Sequence, residues 1–178
     1  MTDASILECS GSILQQLEGG GAFLTVKNGS QVNTMTIGWG AIGTIWGMRV
    51  FIALIRPTRH THGMLNQNDD FTVSIPHPGT LRKALGYAGT ASGRDQDKFA
   101  AHGLTAAPAQ AVDGCIVSEC PLHIECRTLL KQDITDEHMS ESLRRIRPYV
   151  GYSGNNFHTL YFGEIMKFYS TDSKNPNE

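Results

Sequence analysis

Arg56-Pro57-Thr58-Arg59-His60-Thr61 places two guanidinium groups and two hydroxyls within six residues, just after the apolar run Met48 to Ile55. Guanidinium groups hold phosphate oxygens with paired donors, hydroxyls fill the remaining acceptor directions, and a helix starting here would add the partial positive charge of its free N–H groups. The hexad is therefore a candidate site for a small phosphorylated anion. Its surroundings agree: from Gly19 to Asn68 the cations are Lys27, Arg49, Arg56 and Arg59, and there is no Asp or Glu to cancel their field. Ser92-Gly93-Arg94-Asp95-Gln96-Asp97-Lys98-Phe99 offers a second edge, with Ser92 and Lys98 directed at a ligand. Read alone, that segment is a surface helix opened by a capping-box-like Ser and Asp three apart.

Other chemistries find less support. Gly38-Trp39-Gly40-Ala41-Ile42-Gly43 matches G-x-G-x-x-G, but another strand begins by Met48 and no carboxylate occurs before Asp69, so the helix and the ribose-binding acid of a dinucleotide site are missing. Neither G-x-S-x-G nor a cysteine with an evident orienting partner is present. His60 and His62, two apart on a turn, make a weak metal pattern, and His123 and His158 read as ordinary strand histidines. Cys115, Cys120 and Cys126 have neither C-x-x-C nor zinc-ribbon spacing; with Cys9 they read as free thiols of a reducing compartment, which places the protein in the cytoplasm. Asn28-Gly29-Ser30 reads as a turn rather than a glycosylation site, there being no export signal at the N-terminus. Net charge of -2 gives no global attraction for nucleic acid, and 40% hydrophobic residues argue against disorder. Met35 to Ile55 has the length of a membrane span, but four glycines and Arg49 fit two strands joined by a Gly-rich connection better.

The elements that must position these groups are mostly strands. Ala22 to Lys27 and Gln31 to Ile37 flank Asn28-Gly29, which predicts a type I′ hairpin. Met48 to Ile55, Phe71 to Ile75, Cys115 to Ser118, Leu122 to Lys131 and Phe157 to Tyr169 complete about seven strands, short and rich in β-branched or aromatic residues. In Leu122 to Arg127 the apolar side chains alternate, as on an antiparallel strand wet on one face. Helices are expected to be short and peripheral: Thr61 to Asn68, Thr80 to Tyr87, one opening at Ser92, and Asp136 to Arg147 before Pro148. A single domain spanning 1–178 follows, mainly β, a closed antiparallel barrel with a frayed tail from Asp172.

The order Asn33-Thr34-Met35-Thr36-Ile37-Gly38-Trp39, then the hexad, then Ser92-Gly93-Arg94-Asp95 with Asp97-Lys98-Phe99, then Phe157 to Ile165, resembles the flavin reductase-like proteins, specifically the flavoredoxin branch. The resemblance covers about Ala22 to Tyr169. It implies an FMN-binding split β-barrel that usually dimerises. It also implies that Asn33, Met35, Thr36 and Ile37 lie along the isoalloxazine ring. Arg56, Thr58, Arg59 and Thr61 would hold the phosphate, with Ser92 and Lys98 closing the pocket. NADH or NADPH would pass hydride to the flavin, which hands electrons to an acceptor; alternatively, a partner protein reduces the flavin, or the barrel has lost flavin. Tyr87-Ala88-Gly89 has Ala where relatives often have Cys, so thiol chemistry at that position is not carried over.

Overall fold

Strands β1 (Ala22–Asn28) and β2 (Gln31–Ile37) form the expected hairpin, with Asn28 opposite Gln31, so the turn is Gly29-Ser30 rather than Asn28-Gly29. Only Gly29 has positive φ, at 58°, which excludes the I′ turn. The computed structural model describes residues 5–145 and 156–172. After the hairpin come β3 (Gly40–Ile45), β4 (Met48–Ile55), α2 (His60–Leu65), β5 (Asp70–Ile75), α3 (Arg82–Thr90), β6 (Ala106–Pro108), β7 (Cys115–Val117), β8 (Leu122–Asp133), α4 (Glu141–Arg144) and β9 (Thr159–Ser170), while α1 (Ile6–Gly19) precedes it.

Seven strands make one antiparallel sheet in the order β2-β1-β5-β8-β9-β4-β3; β6 and β7 pair separately. The expected hydrogen-bonded closure is absent among the described residues: β2 and β3 end the ladder, and the sheet curls until Met35 to Ile37 and Leu54 line a common cleft. The fold is thus a split barrel. Alternation explains its interior, where Leu24, Val26, Met35, Phe51, Ile55, Phe71, Val73, Ile124 and Tyr161 form one buried cluster. Phe23, on the other face of β1, packs with Ala84, Leu85 and Ala88 of α3 and with Phe99, Leu104 and Val117. Because β1 is covered on both faces, it reads as a nearly continuous apolar run.

Several expectations are corrected. The Gly-rich connection between Ile37 and Met48 is itself mostly strand: β3 pairs with β4 through a Trp46-Gly47 turn in which both residues have positive φ, 51° and 78°. A 14-residue helix, α1, precedes the sheet; Ile6, Cys9, Ile13 and Leu17 form its buried stripe. No helix opens at Ser92: its carbonyl closes one turn by accepting from the N–H groups of Asp95 and Gln96, its hydroxyl accepts from that of Arg94, and Asp97 caps the short 3-10 turn Ala100–His102 through the N–H of Phe99 and Ala100. The span from Asp136 contains a 3-10 turn, Asp136–His138, and α4, capped by the Ser140 hydroxyl; its end at Arg147 lies outside the described residues, as does the tail beyond Asp172. The polar face of Leu122 to Arg127 is wet only at Arg127, which is exposed. His123 and Glu125 are fully buried, and Glu125 accepts from the N–H of Gln110, the N–H of Ala111 and the Tyr169 hydroxyl.

Candidate functional site

The antiparallel register brings the hexad to the last strand. Ile55 pairs with Thr159 across β4 and β9, so Arg56 and His158, one step beyond each, leave the ladder at the same end. From the other side, β2 offers Asn33 to Ile37, and its Asn33 Nδ2 donates to Thr61 Oγ1 at 2.8 Å, pinning the start of α2. The Thr36 hydroxyl donates to the Leu85 carbonyl at 2.6 Å, which ties β2 to α3 and to the loop that follows it.

These elements enclose a cleft with two lobes. The narrow lobe, about 100 Å³, is lined by Thr58, Arg59, His60, Thr61, Thr90 to Arg94, Lys98 and Met35. The wider lobe, about 310 Å³, is lined by Met35 to Trp39, Leu54, Arg56, Arg59 and His158. Met35 and Arg59 belong to both, so the lobes adjoin. Neither lobe has a carboxylate among its described lining residues, whereas Arg56, Arg59, Arg94 and Lys98 are all there. The wider lobe mixes apolar side chains, Met35, Ile37, Trp39 and Leu54, with the polar Thr36, Arg56 and His158, and Trp39 is set edge-on to the His158 ring at 5.3 Å between centroids.

Positive charge is concentrated in the narrow lobe, which Arg59, Arg94 and Lys98 line. Lys98 is buried, donates from Nζ to the Ala88 carbonyl at 3.0 Å, and makes no salt bridge among the described residues. Burial first, and then the neighbouring Arg59 charge, push its pKa down to about 8. His60 is held below its usual value by burial and by Arg94 and Lys98. In the wider lobe, burial together with Arg56 and Arg59 pushes His158 down to about 4, so its imidazole is neutral at physiological pH. A negatively charged ligand would relieve the mutual repulsion of these cations.

Of the ten residues expected in the site, nine line it. Thr58, Thr61, Ser92 and Lys98 are in the narrow lobe, Thr36, Ile37 and Arg56 in the wider one, and Met35 and Arg59 in both. Arg56, expected at the phosphate, lines the wider lobe and not the narrow one, because it follows β4 directly. Asn33 lines neither lobe; it is buried beneath the hexad against Thr61. Sequence reasoning missed Trp39, Leu54, His158 and Arg94. The register of β4 and β9 is what puts His158 beside Arg56, and no local motif carries that pairing.

The family profile described as "Flavin reductase like domain" matches residues 14–177. An uncharacterised protein of Archaeoglobus fulgidus is 25% identical over 144 residues, which are 81% of this chain and 68% of that protein. Among solved structures, the flavoredoxin of Desulfovibrio vulgaris (Miyazaki F) superposes with a TM-score of 0.67 at 25% identity, over 87% of this chain and 71% of its own. The NADH:FAD oxidoreductase SgcE6 of Streptomyces globisporus C-1027 superposes with a TM-score of 0.62 at 17% identity, over 88% of this chain and 81% of its own.

Proposed function

The chain belongs to the flavin reductase-like family, and from that premise we propose that it is an FMN-binding oxidoreductase that takes hydride from NADH or NADPH and passes electrons to an acceptor. The observation that carries this reading is the adjoining pair of lobes, one small and cationic, the other larger and lined by Met35, Ile37, Trp39 and Leu54 together with the polar Thr36, Arg56 and His158, joined at Met35 and Arg59. A phosphomonoester linked to a planar ring has that division of charge and surface. The donor set fits the group, since Lys98 is a buried cation without a carboxylate partner among the described residues, beside Arg59 and two lining hydroxyls, Thr58 and Thr61.

In this reading Arg59, Lys98 and Arg94 hold the phosphate, with the hydroxyls of Thr58, Thr61 and Ser92 filling the remaining directions. Asn33 acts from behind, fixing the Thr61 rotamer. Met35, Thr36, Ile37, Leu54 and Trp39 bound the ring, and Arg56 supplies positive charge on the ring side. His158 contributes hydrogen-bonding capacity there without a charge. Flavin, when bound, supplies the redox chemistry, accepting hydride and releasing electrons. The chain orients it, balances its charge and limits access, so no side chain has to act as general acid or base.

Four buried free cysteines suit a reducing compartment such as the cytoplasm, and we read residues 1–178 as one domain that pairs with a second copy. The test is anaerobic mixing of the FMN-loaded protein with NADH and with NADPH; bleaching of the flavin band by either is expected, and its absence with both would overturn the hydride step. The likeness to flavoredoxin favours a second reading, an electron-transfer module reduced by a partner protein. Bleaching by a reduced ferredoxin-type donor together with silence toward both nucleotides would select it.

A further inference from the structure

We propose that Arg94 closes the mouth of the narrow lobe and makes the site selective for FMN over FAD; this rests on the flavin reading above. Depth in the lobe is visible from exposure: Thr61, Lys98 and Met35 are buried and form the floor, whereas Thr58 and Arg94 are exposed and form the rim. Across that rim Nη1 of Arg94 donates to the Thr58 carbonyl at 3.4 Å, a bridge from the 92–94 loop to the hexad. Gly93 holds the loop at this distance, lying so near Asn33 that a Cβ would meet its Oδ1 at 1.9 Å.

Two consequences point the same way. The lobe, about 100 Å³, has room for a terminal phosphate, while FAD must lead a second phosphate and an adenosine out between Thr58 and Arg94. Charge agrees, because Arg59, Arg94 and Lys98 face a site with no lining carboxylate among the described residues. A phosphomonoester presents three terminal oxygens and close to two negative charges. The inner phosphate of FAD, bound by one ester and one anhydride oxygen, has one charge and two terminal oxygens, so it leaves a donor unmet.

Equilibrium titrations with FMN, FAD and riboflavin test this on the wild type, Arg94→Ala and Arg94→Lys. The wild type is expected to prefer FMN over FAD by about 100-fold or more. Arg94→Ala should bring the ratio below about 10-fold, as loss of one charge-assisted bond changes affinity by roughly 10- to 100-fold. Arg94→Lys should keep more FMN affinity yet still admit FAD, since it retains charge without the planar fork. Equal binding of FMN and FAD by the wild type, or an unchanged ratio in Arg94→Ala, would overturn the selectivity role while leaving the flavin site standing. Failure of all three flavins to bind the wild type would remove the flavin reading and this inference together.

Discussion

Gly93 lies against the carboxamide of Asn33 so closely that an added methyl group would stand 1.9 Å from Oδ1, while Nδ2 of the same carboxamide donates to Thr61 at 2.8 Å. Asn33 is thus a buried spacer between the 92–94 loop and the hexad. Gly93→Ala must push that loop away from β2. FMN affinity is expected to fall by about 1.5 to 3 kcal/mol, the range for losing a charge-assisted hydrogen bond, because the loop carries Ser92 and Arg94. Titration of FMN fluorescence reads this; unchanged affinity would show that the loop does not contact the phosphate.

Lys98 makes FMN binding depend on pH. In the chain alone it titrates near 8, held down by burial and by Arg59. A phosphate dianion beside it favours the ammonium form, so above pH 8 binding must draw a proton from solvent and affinity falls as pH rises. Below pH 8 the lysine is already charged and affinity levels off, until protonation of the phosphate near pH 6 weakens it again. Lys98→Met should bind FMN more weakly and lose the decline above pH 8. Titrations between about pH 6.5 and 9.5 measure both, and a flat wild-type profile would put the phosphate elsewhere.

The hairpin strands, β4 and the clustering of the hexad's cations were legible because each is a local pattern within a few residues, although the turn itself falls one residue later than the Asn28-Gly29 pair suggested. What escaped depended on contacts between distant residues. Leu122 to Arg127 alternates as if one face met water, yet on that face His123 and Glu125 are buried and hydrogen-bonded within the protein, Glu125 to the 109–114 loop, and Arg127 alone is exposed. Ser74, whose hydroxyl accepts from the Val117 N–H, lies 3.1 Å from Nδ1 of His123. Trp39 and His158 meet only because β4 and β9 share a register and the β2–β3 connection returns over it. Helix α1 did have a readable stripe, Ile6, Cys9, Ile13 and Leu17 at spacings of three and four, but Ser10, Gly11 and Ser12 interrupt it with poor helix formers.

Glu125 anchors the loop over that face. Its carboxylate is fully buried and accepts from two backbone N–H groups, at 2.8 Å and 2.5 Å, and from the Tyr169 hydroxyl at 2.8 Å. Glu125→Gln keeps the size but replaces one acceptor oxygen with an NH2 group that faces donors. Such a buried mismatch costs about 1 to 3 kcal/mol. Chemical denaturation should show this as a lower midpoint with FMN affinity nearly intact, since the loop does not line the cleft. A neutral result would mean that the loop, and not the carboxylate, supplies its own support.

Arg56 and Arg59 are three residues apart but differ in what they face, and their variants should separate the lobes. Arg59 borders both lobes and Arg56 only the wider one. Arg59→Ala should therefore weaken FMN by about 1.5 to 3 kcal/mol while affecting riboflavin, which has no phosphate, much less. Arg56→Ala should weaken the two flavins alike. The charges also leave a signature that needs no ligand. Both guanidinium groups help hold His158 at about 4, and Arg59 helps hold Lys98 at about 8. Removing Arg59 should raise both pKa values, whereas removing Arg56 should raise His158 alone. NMR titration of the two side chains in each variant reads this pattern. If Arg56→Ala proved the more selective against FMN, the phosphate would have to sit in the wider lobe and the assignment of the two lobes would be reversed.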